Sequence, residues 1–198
     1  WTTVSPAPTS STSPVGSGVT ATPRSLENAQ LRVEFNDRGE ITSIVDKGAR
    51  EAGVGFSELA AGLCNRFEMY KDVPSRFDAW DIDSMYEQTP VALDEAAEIE
   101  VVAEGPLVAT LRVTRRLHHS SLVQEISLRR DSRRVDFATT IDWQERHKLL
   151  KVAFPVSIHS DEAAHEIQFG YIKRPNHRSR PFDADRFEVP NHKWTALM

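Results

Sequence analysis

Two neighbouring segments of alternating apolar and polar residues constrain the fold of this chain more than any other feature of its sequence. The alternating positions of the first segment are Val135, Phe137, Thr139, Ile141 and Trp143. Those of the second segment are Leu150, Val152, Phe154, Val156 and Ile158. Because successive side chains of a strand point to opposite faces, each segment has one apolar face. The pattern predicts two long strands with buried faces, joined by a charged corner at residues 144–148, as the centre of a β-sandwich.

Further alternating segments predict the rest of this sandwich. They lie at residues 31–35, 41–45, 67–70, 99–103, 107–117, 122–128 and 165–171. The turn Asn-Asp-Arg-Gly at 36–39 joins the first two, because Asn, Asp and Gly tolerate positive φ. Residues 52–64 are rich in Ala and Gly and allow either a short helix or a loop. About eight or nine strands with little helix are typical of an all-β, antiparallel β-sandwich.

Three segments lack this periodicity. Residues 1–25 are dominated by Ser, Thr, Pro and Gly, which predicts a linker or a loosely ordered segment. Residues 71–88 are aromatic and acidic, which predicts a long loop of the kind that carries function on a β scaffold. Residues 173–198 predict an extended loop that covers another surface. The expected organisation is therefore a linker over 1–25 and a β-sandwich domain over 26–198.

Charge and cysteine content exclude several classes of function. The net charge of the 198 residues is −5, which gives no overall attraction to nucleic acid or to an anionic membrane. No apolar run is long enough to span a bilayer. The single cysteine excludes an internal disulfide and favours a cytoplasmic location. The chain begins with Trp1 and shows no leader peptide, so we expect it to be a piece of a longer protein.

The histidines and the cysteine show no spacing that is typical of a metal site. No two of the seven histidines lie at the spacing of an HExxH motif, and Cys64 stands alone. His118 and His119 are adjacent, so in a strand they point to opposite faces. We therefore expect no metal site made within this chain.

The loop at 71–88 holds the best candidates for ligand contact. Trp80 offers an apolar face for a ligand ring, while Asp78 or Asp81 can accept hydrogen bonds from ligand hydroxyls. A structural alternative is that Trp80 packs at a domain interface and that the aspartates cap turns or pair with Arg76. Asp78, Trp80 and Asp81 are therefore candidate ligand contacts, with the structural alternative left open.

The charged corner and the C-terminal tail have structural interpretations that are favoured over functional ones. In the corner, Glu145 is expected to pair with Arg146 or Lys148, because charged runs between strands are usually solvated.

The tail, 174–194, interleaves arginines with aromatic residues, as nucleic-acid-binding segments do. Its acidic residues dilute this charge; they include Asp183, Asp185 and Glu188. We therefore expect the tail to lie against a neighbouring domain, with its arginines paired to carboxylates.

Five segments carry a resemblance to a known family. They are residues 26–47 (LENAQLRVEFNDRGEITSIVDK), 77–83 (FDAWDID), 142–156 (DWQERHKLLKVAFPV), 167–177 (IQFGYIKRPNH) and 186–194 (RFEVPNHKW). In this order, they resemble the β-rich C-terminal half of glycoside hydrolase family 38 α-mannosidases. The resemblance implies a galactose-mutarotase-like sandwich, an incomplete one because the sandwiches of this family continue past the position of Met198.

The resemblance also implies where the chemistry lies. In this family the catalytic domain is an N-terminal α/β barrel followed by a helical bundle, and its zinc is held by two histidines and two aspartates. None of those motifs occurs in this chain, so we expect no catalytic residue, no metal ligand and no cofactor here. Zinc is expected in the parent enzyme. The implied function is that of a supporting domain in a retaining, zinc-dependent α-mannosidase that hydrolyses terminal α-mannosides and whose active site it partly lines. By analogy with family loops that lean over the barrel mouth, the resemblance also predicts that Asp78, Trp80 and Asp81 contact substrate.

The expected partners follow from this resemblance. They are the α-mannoside substrate and the barrel and helical domains of the same polypeptide, without nucleic acid or membrane. A homo-oligomer is left open. Two alternative functions also remain: a purely structural interface domain, which predicts an exposed apolar patch, and a stand-alone carbohydrate-binding module.

Overall fold

The computed structural model describes residues 18–48, 57–78 and 80–197, and this part of the chain is an all-β protein with antiparallel pairing throughout. The first strands are β1 Thr20–Thr22, β2 Ser25–Glu27, β3 Leu31–Phe35, β4 Ile41–Asp46, β5 Ser57–Glu58, β6 Arg66–Lys71 and β7 Pro90–Val91. The central strands are β8 Glu98–Glu104, β9 Val108–Leu117, β10 Ser120–Arg129 and β11 Val135–Asp142. The last strands are β12 Lys148–Ala153, β13 Glu162–Ile167, β14 Gly170–Pro175 and β15 Thr195–Leu197. The predicted fold class is confirmed.

These strands form four sheets in the described ranges. Strands β1 to β5 form a five-stranded sheet in sequence order, and β11-β10-β9-β8 form a four-stranded sheet. Two three-stranded sheets have the orders β12-β6-β7 and β14-β13-β15. The 3₁₀ helix Tyr86–Gln88 precedes β7, and the 3₁₀ helix Pro181–Arg186 lies between β14 and β15. No helix among the described residues has the length and the hydrophobicity needed to cross a membrane.

The main core lies between the five-stranded and the four-stranded sheets. Its fully buried side chains come from alternate positions of β2 to β4, β9 and β10; they include Leu26, Val33, Ile41, Leu111, Val113, Ile126 and Leu128. A second, smaller cluster joins Met69 of β6 to Leu117 and Leu122 of the four-stranded sheet. The period of two in the sequence therefore places the predicted apolar faces of β3, β9 and β10 against one another.

The predicted hairpin turn at 36–39 requires a glycine. Gly39 has a φ of +69°, a value that glycine adopts without strain. A Cβ at this position would lie 2.5 Å from a methyl group of Val113. The Asn36 side-chain oxygen also accepts the backbone N–H of Arg38 and that of Glu40, at 2.9 and 3.0 Å. This turn brings β3 and β4 into register and packs directly on β9.

A reciprocal pair of side-chain amides connects the two layers. Asn65, just before β6, is fully buried and has a φ of 54°. Its Nδ2 donates to the Gly39 carbonyl at 3.1 Å and to Gln124 Oε1 at 2.7 Å. Gln124 Nε2 donates in return to Asn65 Oδ1 at 3.2 Å and to Thr139 Oγ1 at 3.0 Å. These bonds join the hairpin turn to β10 and β11.

The structure corrects three predictions about strands. The predicted strand at 165–171 is a hairpin, because β13 ends at Ile167 and β14 starts at Gly170. The second alternating segment forms only β12, which ends at Ala153. The tail is not an extended loop throughout, since it holds a 3₁₀ helix and β15.

Two predicted segments fall partly outside the described residues. Of the predicted linker, residues 18–25 are described and contain β1, whose Ala21 is buried beside Val19 in the main core. Order therefore begins before Leu26, and the prediction for residues 1–17 lies outside the description. Of the segment 52–64, residues 57–64 form β5 and irregular backbone.

The apolar faces of the two central segments are only half covered, which corrects the prediction that both are buried. The side chains of Ile141, Trp143, Val152, Phe154 and Ile158 are between 38% and 47% exposed. Phe137 contacts Phe154 edge-on, with ring centroids 5.6 Å apart, so the two segments do meet. Alternation identifies an apolar face correctly, but it does not show what covers that face.

Candidate functional site

The charged corner at 144–148 is fixed to the turn between β9 and β10 by Glu145. This carboxylate accepts the His119 backbone N–H at 2.6 Å and the Ser120 hydroxyl at 3.1 Å, and it lies 3.0 Å from His118 Nδ1. The Glu145 side chain is only 2% exposed. Its role is structural, as predicted, but its partners belong to this turn and are not Arg146 or Lys148.

The Glu145 contacts make stability depend on pH. Burial alone would raise the pKa of Glu145, but the bonds from the His119 amide, His118 and Ser120 lower it below the ordinary value. Because the folded-state pKa is depressed, the carboxylate stabilises the fold above the unfolded-state pKa, and this contribution disappears as pH falls through the folded-state pKa. We expect Glu145→Gln to flatten the loss of unfolding free energy between about pH 5 and pH 3.

Denaturant unfolding at a series of pH values checks this expectation. Glu104→Gln, an exposed glutamate at the end of β8, is the matched control. A Glu145→Gln profile parallel to that of the unchanged protein would contradict the stabilising role of the carboxylate.

The corner meets the loop after β6, and together they line an open cavity of about 410 Å³. The two segments come together because β6 pairs with β12, with Lys71 opposite Lys148. The Asp72 backbone N–H extends this ladder by donating to the His147 carbonyl at 2.9 Å. The side chains that line the cavity are those of Asp72, Asp78, Trp143, Glu145, Arg146, His147 and Lys148.

The cavity combines carboxylates, cations and one aromatic ring. Asp78 Oδ1 lies 3.7 Å from His147 Nδ1. Asp72 Oδ1 is buried and accepts no hydrogen bond from the protein. A buried carboxylate oxygen without a donor is rare and is a reason to expect a ligand or water donor. Trp143 is 39% exposed at the cavity and presents an apolar ring beside these polar groups.

The fold agrees with a comparison to known families. The sequence model of the family described as "Glycosyl hydrolases family 38 C-terminal domain" matches residues 26–198. The chain belongs to this family. The family predicted from the five sequence segments is therefore confirmed.

Relatives of this family 38 domain include named α-mannosidases. It is 38% identical over 175 residues to "Alpha-mannosidase 2C1" of Homo sapiens, covering 87% of this chain and 16% of that protein. It is 33% identical over 181 residues to "Alpha-mannosidase G" of Dictyostelium discoideum, again covering 87% of this chain and 16% of the relative. The chain thus spans about one sixth of the length of these relatives.

A solved structure supports the fold of the family 38 domain. The crystal structure of an α-mannosidase from Enterococcus faecalis V583 aligns with a TM-score of 0.59 at 17% identity. The alignment covers 82% of this chain and 21% of that one. At this identity the likeness concerns the fold.

Of the three residues predicted to contact substrate, Asp78 alone lines the corner cavity. Trp80 is 85% exposed, and its backbone N–H donates to the Phe77 carbonyl at 3.1 Å. The Asp81 N–H donates to the same carbonyl at 2.9 Å, so the two residues form one exposed turn. The aromatic residue that reaches the cavity is Trp143, which the sequence placed on a buried strand face.

Asp72 could not be singled out from the sequence of the family 38 domain. It lies directly after β6, where only a ladder between distant segments places its carboxylate beside the corner. His147 offers a similar case, because its φ of 51° is uncommon for a residue other than glycine. The pattern of a single sequence shows neither the strand pairing that places Asp72 nor the positive φ of His147.

A buried tyrosine holds the loop and the tail of the family 38 domain together. Tyr86 donates from its hydroxyl to Glu188 Oε1 at 2.5 Å, and Lys151 Nζ donates to Glu188 Oε1 at 2.6 Å and to the tyrosine oxygen. Burial and the bond to Glu188 raise the pKa of Tyr86 to about 12. The tail is thus anchored on β12 of its own domain, at the end of the loop that carries Asp78.

The described residues of the family 38 domain do not fit a zinc site. They contain no group of three or more His, Cys, Asp or Glu side chains placed to hold a metal ion. His118 and His119 are in edge-on contact, with ring centroids 4.1 Å apart, and His118 faces Glu145. No metal chemistry is assigned to these residues.

Proposed function

We propose that this family 38 domain works within an α-mannosidase and that its corner cavity contributes to the sugar-binding surface of the whole enzyme. The observation that supports the proposal most is the unpartnered, buried Asp72 Oδ1 in one cavity with Asp78 and Trp143. Carboxylate oxygens accept hydrogen bonds from sugar hydroxyls, and an aromatic face packs on the apolar C–H face of a sugar ring.

The whole enzyme is proposed to be a retaining, zinc-dependent α-mannosidase that acts on terminal α-mannosides. Retaining glycosidases use two carboxyl groups across the scissile bond. The described residues do not fit a zinc site, so the catalytic groups are assigned to the barrel domain of the same polypeptide. In this proposal the present domain binds and orients the mannoside and excludes water near it. A cytoplasmic location is also proposed, because a chain with a single cysteine forms no internal disulfide.

A second role, as an interface domain, is supported by the half-exposed apolar strip of Ile141, Trp143, Val152, Phe154 and Ile158. Exposed apolar side chains that form a patch usually mark an interaction surface. We propose that the barrel and helical domains of the same polypeptide cover this strip. The two roles are compatible, because Trp143 belongs to both the strip and the corner cavity.

The proposal predicts the effect of removing the cavity carboxylates from the protein at its natural length. Asp72→Asn and Asp78→Asn are each expected to lower kcat/KM for an aryl α-mannoside at least tenfold, or about 1.4 kcal/mol. The reason is that an amide group weakens the bonds accepted from sugar hydroxyls. Steady-state kinetics and the melting temperature of each variant are the measurements.

Matched variants separate sugar contact from a general effect on folding. Asp131→Asn, which removes an exposed carboxylate at the far end of β10, is expected to leave kcat/KM unchanged. Asp81→Asn tests whether the exposed turn also touches substrate. If both Asp72→Asn and Asp78→Asn fold and keep an unchanged kcat/KM, sugar contact at the corner cavity is contradicted and only the interface role remains.

A further inference from the structure

A second cavity, of about 380 Å³, lies among β13, β14, β15 and the 3₁₀ helix Pro181–Arg186. No residue lines both this cavity and the corner cavity. Its polar wall includes His165, Arg174, Asp183 and Arg186, and its apolar wall includes Val189 and Leu197. None of these side chains has a role in the proposed function.

Asp183 is the most unusual group of this cavity. The residue is only 3% exposed, and its Oδ2 accepts the Arg180 backbone N–H at 2.9 Å. Its Oδ1 is buried and accepts no hydrogen bond. Arg186 Nη1 is 4.0 Å from this oxygen, which is too long for a hydrogen bond. A buried carboxylate oxygen that accepts no hydrogen bond costs folding free energy, so we expect a ligand to supply the missing donor.

Arg174 presents the complementary group. Its Nη1 is also buried and donates no hydrogen bond to the protein. Burial and the nearby charge of Arg174 both lower the pKa of His165, so the imidazole is neutral at pH 7. His165 Nδ1 lies 3.2 Å from Thr195 Oγ1. The residues that line the cavity therefore include an acceptor and a donor without a protein partner, beside a neutral ring.

The charges and the unmet hydrogen bonds of the wall together indicate the class of ligand. Arg174, Arg178 and Arg186 all line the cavity and oppose a cation. Asp183 Oδ1 lacks a hydrogen-bond donor, and an anion that carries no proton cannot supply one. A sugar hydroxyl donates and accepts at once, so a vicinal pair of hydroxyls can satisfy Asp183 and Arg174 together. The apolar residues can then contact the C–H groups of the ring.

We propose that this cavity binds one neutral sugar residue, whose adjacent hydroxyls donate to Asp183 and accept from Arg174. The site is distinct from the corner cavity and needs no catalytic step, so it does not depend on the proposed function. Its volume lies within the range of small-ligand pockets, which is roughly 300–1,000 Å³.

The test uses the protein at its natural length and methyl α-D-mannopyranoside as the probe. Hydrogen exchange is expected to slow in peptides that cover residues 172–186 when the sugar is added, and the dose dependence gives a Kd for this region. Asp183→Asn is expected to raise that Kd at least tenfold, because the amide can keep the bond from the Arg180 N–H while turning a donor toward the cavity. Asp185→Asn, on the same 3₁₀ helix but outside the cavity, is the matched control.

Activity and two other probes complete the test. Unchanged kcat/KM for an aryl α-mannoside in Asp183→Asn supports a separate site, whereas a parallel loss of activity overturns it. Two other probes, glycine as a zwitterion and inorganic phosphate as an anion, test the class of ligand. If either of them slows hydrogen exchange at residues 172–186 and the sugar does not, the assignment to a neutral sugar is overturned. If Asp183→Asn does not fold, Arg174→Gln replaces it with the same expected tenfold effect. Absence of sugar protection in the unchanged, folded protein overturns the proposal.

Discussion

Replacing Tyr86 by alanine is expected to lower the free energy of unfolding by about 3–5 kcal/mol, the range for truncating a large buried aromatic residue. Tyr86 is 3% exposed and packs edge-on against Tyr70, with ring centroids 5.0 Å apart. Phe187 lies 6.3 Å from its ring, and Lys151 Nζ lies 4.9 Å from the ring centroid. The substitution removes all of these contacts and leaves Glu188 with Lys151 alone.

Denaturant unfolding of two further variants shows which part of Tyr86 matters. Tyr86→Phe keeps the ring and removes the hydroxyl, so we expect a loss of only about 1 kcal/mol. Tyr171→Ala removes an exposed tyrosine and is expected to cost much less than Tyr86→Ala. Hydrogen exchange should speed up around residues 187–189 in Tyr86→Ala, because the tail loses its anchor. Equal losses in Tyr86→Ala and Tyr171→Ala would contradict the anchoring role.

The second large effect is expected at the buried amide pair. Asn65→Leu is expected to lower the free energy of unfolding by at least about 3 kcal/mol, since it leaves buried polar groups unpaired and strains a left-handed backbone. The groups left without a donor are the Gly39 carbonyl and Gln124 Oε1. Asn65→Gly separates the two causes, because glycine adopts the φ of 54° without strain.

A double-mutant cycle tests the pairing itself. Adding Gln124→Leu to Asn65→Leu removes the unpaired amide, so the double variant is expected to be less destabilised than the sum of the single variants. The expected coupling is about 0.5–3 kcal/mol, as for residues in one hydrogen-bond network. Additive losses in equilibrium unfolding would show that Asn65 and Gln124 act independently.

The sheets were predictable because a period of two is a local property of the sequence. Leu31, Val33 and Phe35 alternate with polar residues and are all buried in β3, and β9 and β10 follow the same rule. The exceptions are polar residues at inward positions. Arg115 and Gln124 are both buried on the inward face, the first against the Phe67 ring at 5.3 Å and the second against Asn65. Binary patterning carries no information about such partners.

The hairpin between β13 and β14 was missed because its turn lacks the usual residues. Gln168 and Phe169 form the turn, and Phe169 has a φ of 65°. A tight turn with positive φ normally carries Asn, Asp or Gly. A phenylalanine at this position therefore predicts that the strand continues.

The candidate site was only partly predictable for a related reason. Asp78 was predicted because aromatic and acidic residues crowd its loop, and it lines the corner cavity. Asp72 and Trp143 join it through the pairing of β6 with β12, a contact between segments far apart in the chain. A local pattern assigns a residue to a strand or a loop, but only the tertiary pairing decides which loops meet.

The position of Cys64 gives the protein a built-in probe of its own opening. The thiol is fully buried, donates to the Pro155 carbonyl at 3.2 Å, and belongs to a residue bridged to Ile41 of β4. Burial and the charge of Glu58 raise the pKa of this thiol, which further suppresses its reaction with alkylating agents. Since it is the single cysteine of the chain, labelling kinetics report how often the seam between the first sheet and the segment after β12 separates.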